Sequence, residues 1–421
     1  MRLNSLRWLI LGLLFLATVI HYLDRQALSV LLPTLRVDLG LTSAVYGNIT
    51  MVFMLAYTIA QLVAGLVVDR IGARRSFSVF IAGWSLAALA HAFVRGALSL
   101  GVLRCLLALS EAGNWPAGVK VVARWFPAHR RGMAMAVFDS GAALGAMLAP
   151  PLVAFLALQF GWRAAFAGTA VLGFVWLLGW WKVYDEPERH GWLAPEDREA
   201  LLAEVGAETK RASSFGACLG GIVAAGVTWG MVLTRFLATP VWWFYVFWLP
   251  DYLSKARNFS LAEIGFYGWI PYLTVDLGKV GGGLASDRLL EAGMRPRRAR
   301  KIVMVSGGLM MSAGLMVVEA PTAAAAVGWV CLATFGFGIW SANIYALHAD
   351  IFPGRVLATA IGFTGMGSSL GGAVFTCAVG LLVDKAGYGP VFWAVGIIPL
   401  LACATLVLCV GGFAKKDELV R

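Results

Sequence analysis

Charge is what this chain has least of. Asp, Glu, Lys and Arg make up 14% of its 421 residues against 60% for the hydrophobic types, and the mean hydropathy is +0.77. Soluble domains carry about a quarter charged residues, so the composition excludes an ordinary water-surrounded domain and indicates a polytopic membrane protein. Histidine is rare too, with five residues, and the six cysteines (Cys105, Cys218, Cys331, Cys377, Cys403 and Cys409) are scattered, nearly all in apolar segments. Without metal-type spacing they argue against a disulfide framework or a zinc site and read as small apolar packers. No HExxH or Walker-type sequence is present, and the GxSxG match, Gly367 to Gly371, lies inside a long apolar run and not at a strand-to-helix turn. That removes the usual nucleophile, metallohydrolase and nucleotidase constellations, and the expectation is a protein that is not an enzyme and uses no cofactor or metal. The first apolar segment lacks a small-residue cleavage site before Pro33, so it reads as a spanning helix and not a removable signal.

What is present in quantity is apolar sequence in long runs. They lie near 8–32, 46–68, 76–94, 98–122, 133–157, 164–184, 226–252, 262–285, 302–318, 323–348, 356–382 and 389–412. Each approaches the length that roughly 30 Å of hydrocarbon demands at about 1.5 Å per residue, and in lipid a helix keeps its backbone hydrogen bonds internal. The expectation is an all-α membrane protein of twelve transmembrane helices. The one long polar interruption runs from Tyr184 to about Ala225 and holds eight acidic residues, Asp185 to Glu208. It divides the chain into a six-helix half (1–184), a central loop (185–225) and a second six-helix half (226–421).

The net charge of +11 is explained by topology before nucleic acid. With the N-terminus inside, the inner connections hold 19 Lys and Arg, the outer ones 6 and the central loop 5. Both termini are therefore expected in the cytoplasm of a bacterium, the chain being multi-pass in the inner membrane. Subtracting those 30 from the total of 34 leaves Arg25, Arg104, Arg235 and Lys279 within the helices.

An internal repeat ties the halves together. Phe126-Pro127, Gly141, Gly145, Gly161-Trp162 and Phe166 recur as Phe352-Pro353, Gly367, Gly371, Gly387-Tyr388 and Phe392, and Gly65-Leu66 with Asp69-Arg70 recur as Gly283-Leu284 with Asp287-Arg288. A repeated six-helix unit, its halves related by pseudo-two-fold symmetry, resembles the major facilitator fold. The loop GLVVDRIGARR, Gly65 to Arg75, matches that superfamily's signature between its second and third helices. The resemblance gives Gly65, Asp69, Arg70, Arg74, Arg75, Asp287 and Arg288 gating roles. Physically, Gly65 permits close helix contact and Gly72 a tight turn, while the arginines also suit topological anchoring.

Within that superfamily the chain resembles the anion:cation symporters, a family of hexuronate, galactonate and glucarate transporters that also includes animal sialic acid and vesicular glutamate transporters. The resemblance rests on Tyr22-Leu23-Asp24-Arg25, on Arg104 and Glu111 within RCLLALSEAGNWPA, on WFPAHRRG, on Phe138-Asp139-Ser140-Gly141 and on YDEPERH. It implies that Arg25 binds a substrate carboxylate, that Tyr22 and Tyr57 line the site, and that Glu111 carries a proton under the influence of Arg104. One departure stands out: Ala142 occupies a place where some sugar-acid members have Gln. That removes a hydroxyl contact.

The residues read from physics alone point the same way. Asp24 and Arg25 sit inside an apolar segment, where an ionised group costs roughly 2.5–3.5 kcal/mol, so they are expected to face a bundle interior or a cavity. Arg25 has the planar fork that suits a carboxylate, supplied either by substrate or by helix 4, and the two are compatible in different states. Arg104 and Glu111 are seven residues apart on one helical face, able to share a cavity without touching. Asp24 is a second candidate for proton coupling. Asn114, Trp340, Asn343, Tyr345, Thr364 and Ser368 are candidate substrate contacts, with Gln61, Trp115, His348 and Ser369 behind them. The run Trp242 to Trp248 reads as interfacial belt and gate packing, Asp276 and Lys279 as a self-neutralising pair, and Arg235 as a residue that snorkels from a cytoplasmic end. The function expected is import of a small organic anion, a sugar acid such as a hexuronate or aldonate, by a monomer using proton symport. A uniporter or sodium-coupled carrier of another monocarboxylate, or a proton-coupled effluxer, is the alternative.

Overall fold

The computed structural model describes residues 3–206, 215–352 and 354–410. In chain order its helices are α1 (Leu3–Leu39), α2 (Ser43–Ile71), α3 (Ala73–Ala90), α4 (Ala97–Glu111), α5 (Asn114–Trp125), α6 (Ala128–Phe160), α7 (Trp162–Val183) and α8 (Pro195–Gly206). They are followed by α9 (Phe215–Ala224), α10 (Gly226–Arg257), α11 (Leu261–Tyr267), α12 (Ile270–Glu291), α13 (Pro296–Met311), α14 (Ala323–Ile351), α15 (Gly354–Ala386) and α16 (Gly389–Cys409). No strand occurs among the described residues.

Ten helices among the described residues are long and apolar enough to cross a bilayer. The other two expected spans, 98–122 and 262–285, are each interrupted, the first into α4 and α5 and the second into α11 and α12. A proline lies just past each break. Pro116 and Pro271 have no N–H for the carbonyls of Ala112 and Tyr267, at the ends of the upstream helices, although α1, α6, α10 and α16 run through prolines without a break. The first interruption leaves Glu111 as the last residue of α4.

The chain forms two compact units. One comprises Met1–Leu41, Val52–Ala212 and Ser260–Trp269; the other comprises Thr42–Met51, Ser213–Phe259 and Ile270–Arg421. In the first unit α1 packs along α6 and α7, and α3 along α4 and α7. The α1–α6 crossing depends on glycine, because a Cβ on Gly141 would lie 2.5 Å from the Phe15 carbonyl oxygen and one on Gly145 2.4 Å from that of Val19. In the second unit α10 packs along α15 in the same way: a Cβ on Gly367 would lie 2.6 Å from the Val232 oxygen and one on Gly371 2.3 Å from that of Phe236. The contacted carbonyls are also related by the repeat, since 232 − 15 and 236 − 19 both give 217.

Two expectations about packing change. A Cβ on Gly65 or Gly283 meets no described atom within 4 Å, so the close approach expected of the signature glycine is absent among the described residues. Gly72 does occupy the left-handed region at φ 79°, as a tight turn there requires. Likewise, Phe244, Tyr245 and Trp248 are core residues and no interfacial belt. The Trp248 indole donates to the Thr376 hydroxyl at 2.7 Å, and Phe244 meets Phe392 edge-on at 5.2 Å. Neighbouring Trp242 stacks on Phe337 at 5.3 Å.

Candidate functional site

The first unit buries its ionisable groups in one place. Arg25 on α1 is 2% exposed and Glu111 at the end of α4 is fully enclosed. The guanidinium donates twice to one carboxylate oxygen, from Nε at 2.9 Å and from Nη2 at 2.7 Å, so the internal pairing with a helix 4 carboxylate is realised. The other oxygen, Oε1, has no hydrogen-bond partner among the described residues. Around the guanidinium stand three aromatic rings, Tyr57 at 4.6 Å, Phe53 at 5.3 Å and Tyr22 at 5.5 Å from its carbon to the ring centroids. These rings stabilise the cation through their negative faces and keep it from water.

His21, one turn before Arg25 on α1, completes the cluster. Its Nε2 lies 3.1 Å from Arg25 Nη2 and 3.3 Å from Glu111 Oε2. One ring nitrogen cannot both accept from a guanidinium and donate to a carboxylate, so Nε2 serves one neighbour at a time. Sequence reading did not assign a role to this residue, although the four-residue spacing from Arg25 was the available signal.

Arg104 and Glu111 do share the region without pairing. Arg104 Nη1 donates to the backbone carbonyl of Arg25 at 3.2 Å, tying α4 to α1, and its guanidinium lies 5.8 Å from the Phe53 ring centroid. Asp24 is 2% exposed and neither of its carboxylate oxygens has a hydrogen-bond partner within bonding distance. Its electrostatic neighbours are Glu111 and Arg104, and the nearby Thr169 hydroxyl is directed to the Phe166 carbonyl at 3.2 Å. Two carboxylates and two guanidiniums thus lie together at α1 and α4. Asn114, on α5, is buried and donates to the Thr18 hydroxyl at 3.2 Å.

The second unit has a polar cluster of its own. Arg235 on α10 is buried and does not snorkel: Nη1 donates to the Thr364 hydroxyl at 3.2 Å and the Ile361 carbonyl at 3.3 Å, with the Tyr345 ring 5.4 Å away. His348 contacts the same Thr364 hydroxyl at 2.8 Å. Tyr345, Thr364 and His348 therefore come together, and Ser368 is buried one turn beyond Thr364 on α15. The amide nitrogen of Asn343 donates to the carbonyls of Gly282 at 3.1 Å and Ile339 at 2.9 Å, joining α14 to α12. Trp340 is buried in the core. Asp276 and Lys279 form the expected neutralising pair at 3.1 Å.

The signature loop is anchored to its own unit. Arg74 pairs with Asp185 at 2.8 Å and donates to the Trp181 carbonyl at 2.8 Å, whereas Arg70 and Arg75 are exposed. The side chain of Asp69 lies outside the described residues. Lys120 donates to the Val68 carbonyl at 2.9 Å, and Arg124 pairs with Glu186 at 3.6 Å and with Glu188. In the repeat, Asp287 meets Arg300 at 3.5 Å and Arg288 is exposed.

Comparison with known proteins follows the same lines. The model of the Major Facilitator Superfamily matches residues 14–376. A hexuronate transporter of Escherichia coli (strain K12) is 31% identical over 406 residues, covering 96% of this chain and 94% of that protein. A galacturonate transporter of Dickeya chrysanthemi is 34% identical over 313 residues, covering 74% of this chain and 90% of its own. Among solved structures, a D-xylose–proton symporter superimposes with a TM-score of 0.75 at 16% identity, over 96% of this chain and 98% of that one.

Proposed function

The chain belongs to the Major Facilitator Superfamily, a family of transporters and not of enzymes, and from that premise we propose that it imports a sugar acid by proton symport with alternating access. The substrate is a hexuronate or aldonate, as the names of the relatives suggest. The protein is a multi-pass monomer of a bacterial inner membrane with both termini and the central loop in the cytoplasm, a reading supported by the 19 to 6 asymmetry of its basic residues. The proton is its coupling ion.

The observation that carries this reading is the buried Arg25–Glu111 pair, in which one carboxylate oxygen takes both guanidinium bonds and the other takes none. A proton can be received on Oε1 without first breaking the pair. Once neutral, Glu111 holds Arg25 less strongly, and the guanidinium becomes available to a substrate carboxylate inside the ring of Tyr22, Phe53 and Tyr57. His21 Nε2 then turns from Arg25 to Glu111, so the carboxyl is not left without a partner when the arginine moves. Asp24 is the second proton site, set by Arg104. The second unit, taken by itself, has in Arg235, Tyr345, Thr364 and Ser368 a polar cluster whose chemistry suits hydroxyl and carboxylate groups. The loop residues Gly65, Asp69, Arg70, Arg74 and Arg75, with Asp287 and Arg288, act in gating and touch no substrate.

Uptake into proteoliposomes of hexuronates, aldonates, aldarates and simple monocarboxylates, with and without an inward proton gradient, tests the proposal. Gradient-driven accumulation of a hexuronate or aldonate is expected. Equal accumulation without the gradient, or transport only of simple monocarboxylates, would reject it.

A further inference from the structure

A cavity of about 920 Å³ opens where the turn between α12 and α13 meets the end of α16, entirely within the second unit. Its walls are of two kinds. Arg295, Arg298 and Lys301 line one part, and Ile302, Val305 and Val407 line the other. Arg298 lies three and four residues before Lys301 and Ile302, and these lie four and three before Val305, so the four form one stripe of α13 that changes from cationic to apolar along the helix.

Among the described residues the cations of this stripe, and Arg295 beside it, have no carboxylate partner, although the adjacent Arg300 reaches Asp287 at 3.5 Å and Asp350 at 3.9 Å. The place matters as much as the charge. The basic residues stand at the beginning of the span Pro296–Val317, and Val407 near the end of the span Gly389–Cys409, which is the level at which a membrane changes from headgroup to acyl chain. Ile302 and Val407 are about half exposed, at 45% and 51%, and so present apolar surface outward at that level.

We propose that this cavity is a binding site for an anionic phospholipid, with its phosphodiester on Arg295, Arg298 and Lys301 and an acyl chain along Ile302, Val305 and Val407. Topological anchoring alone accounts for basic residues near a span, but it requires no cavity and no apolar continuation of the cationic stripe. A soluble phosphate would satisfy the cations and leave the apolar wall without a function. Basic pockets between transmembrane helices are a recurrent way of holding such headgroups. The site is separate from the Arg25 cluster, so its occupancy is independent of the transport proposal.

The full-length protein, purified in mild detergent and offered equal amounts of phosphatidylglycerol and phosphatidylcholine, is examined by native mass spectrometry. The unsubstituted chain is expected to retain phosphatidylglycerol selectively. Arg298→Gln/Lys301→Gln should lower that selectivity roughly twenty-five-fold, at roughly fivefold for each lost cation near a membrane surface, whereas Lys182→Gln/Arg189→Gln, an equal loss of charge elsewhere, should not. Selectivity that survives the first pair, or falls equally with both, overturns the proposal, as does displacement of the lipid by millimolar inorganic phosphate. If the first pair fails to fold, the unsubstituted chain still decides: a phosphatidylglycerol bearing a photoreactive acyl chain should label peptides containing Ile302–Val305 or Val407, and labelling confined to other peptides overturns the assignment.

Discussion

Replacing Glu111 by Gln removes a charge from the centre of the first unit while keeping the side chain's shape. In the wild type an anion that needs Arg25 must compete with two charge-assisted hydrogen bonds, of 2.9 and 2.7 Å, to Glu111 Oε2. A hydrogen bond to a charged group contributes about 1.5–3 kcal/mol, so loss of one such bond's worth of competition should tighten substrate binding roughly ten- to a hundredfold. The sign of the pH dependence follows from the same competition. Protons neutralise Glu111 and thereby release Arg25, so by linkage wild-type affinity for the anion should rise as pH falls. The Gln variant mimics the protonated carboxyl permanently and should bind with the tight, acid-like affinity at every pH. It should also exchange labelled substrate across a vesicle membrane yet fail to accumulate it against a gradient. Isothermal titration with the transported sugar acid at pH 6 and pH 8, beside counterflow and gradient-driven uptake in the same vesicles, measures all three. Accumulation that persists in Glu111→Gln, or a pH dependence of binding equal to the wild type's, would refute the reasoning. Loss of counterflow together with a fall in Tm would instead mark Glu111 as structural, since breaking a buried ion pair costs on the order of 3–5 kcal/mol.

Four further outcomes are expected. Arg25→Lys keeps the charge but not the fork, and binding should weaken roughly ten- to a hundredfold, measured by the same titration; wild-type affinity would place the carboxylate elsewhere. His21→Phe should leave Glu111 without its alternative partner and slow gradient-driven uptake more than counterflow, with His21→Gln recovering part of the loss; equal rates in both assays would make His21 a packing residue. Gly145→Val should lower stability by about 1–3 kcal/mol, read as a drop in Tm, because its Cβ would lie 2.4 Å from the Val19 oxygen, whereas Gly65→Ala should cost far less. Cysteines introduced at Arg189 or Glu199 should resist an impermeant thiol reagent in intact cells, and rapid labelling would invert the topology.

Much of the fold was legible because it obeys one-dimensional rules. Apolar run length gave the spans, and the 226-residue repeat gave Gly141, Gly145, Gly367 and Gly371, which turn out to make equivalent crossings in the two units. Segment interruption was harder to read. Pro116 and Pro271 look like ordinary members of apolar runs, as do Pro150, Pro240 and Pro399, which α6, α10 and α16 pass through without a break. The Arg25–Glu111 pairing was foreseen as one of two options because charge in lipid demands a partner. His21 and Phe53 were not assigned roles, since a histidine or phenylalanine in an apolar helix carries no sign of which neighbour it meets. Arg235 shows the reverse error. Its nearness to a helix end was legible, but its bond to Thr364 is a tertiary fact, as is that of Asn343 to Gly282.

The four glycines at the α1–α6 and α10–α15 crossings carry a consequence for heredity. Every single-base change of a glycine codon that replaces glycine with another amino acid brings in a side chain with a Cβ, and at these positions that atom would fall 2.3–2.6 Å from a backbone oxygen. Each crossing is therefore cut off from its mutational neighbours on all sides. In a saturation library selected for growth on the transported compound, Gly141, Gly145, Gly367 and Gly371 should read as blank columns beside a tolerant one at Gly283. The ancestral duplication would then remain visible as a pattern of forbidden substitutions even where the two halves had lost all other likeness.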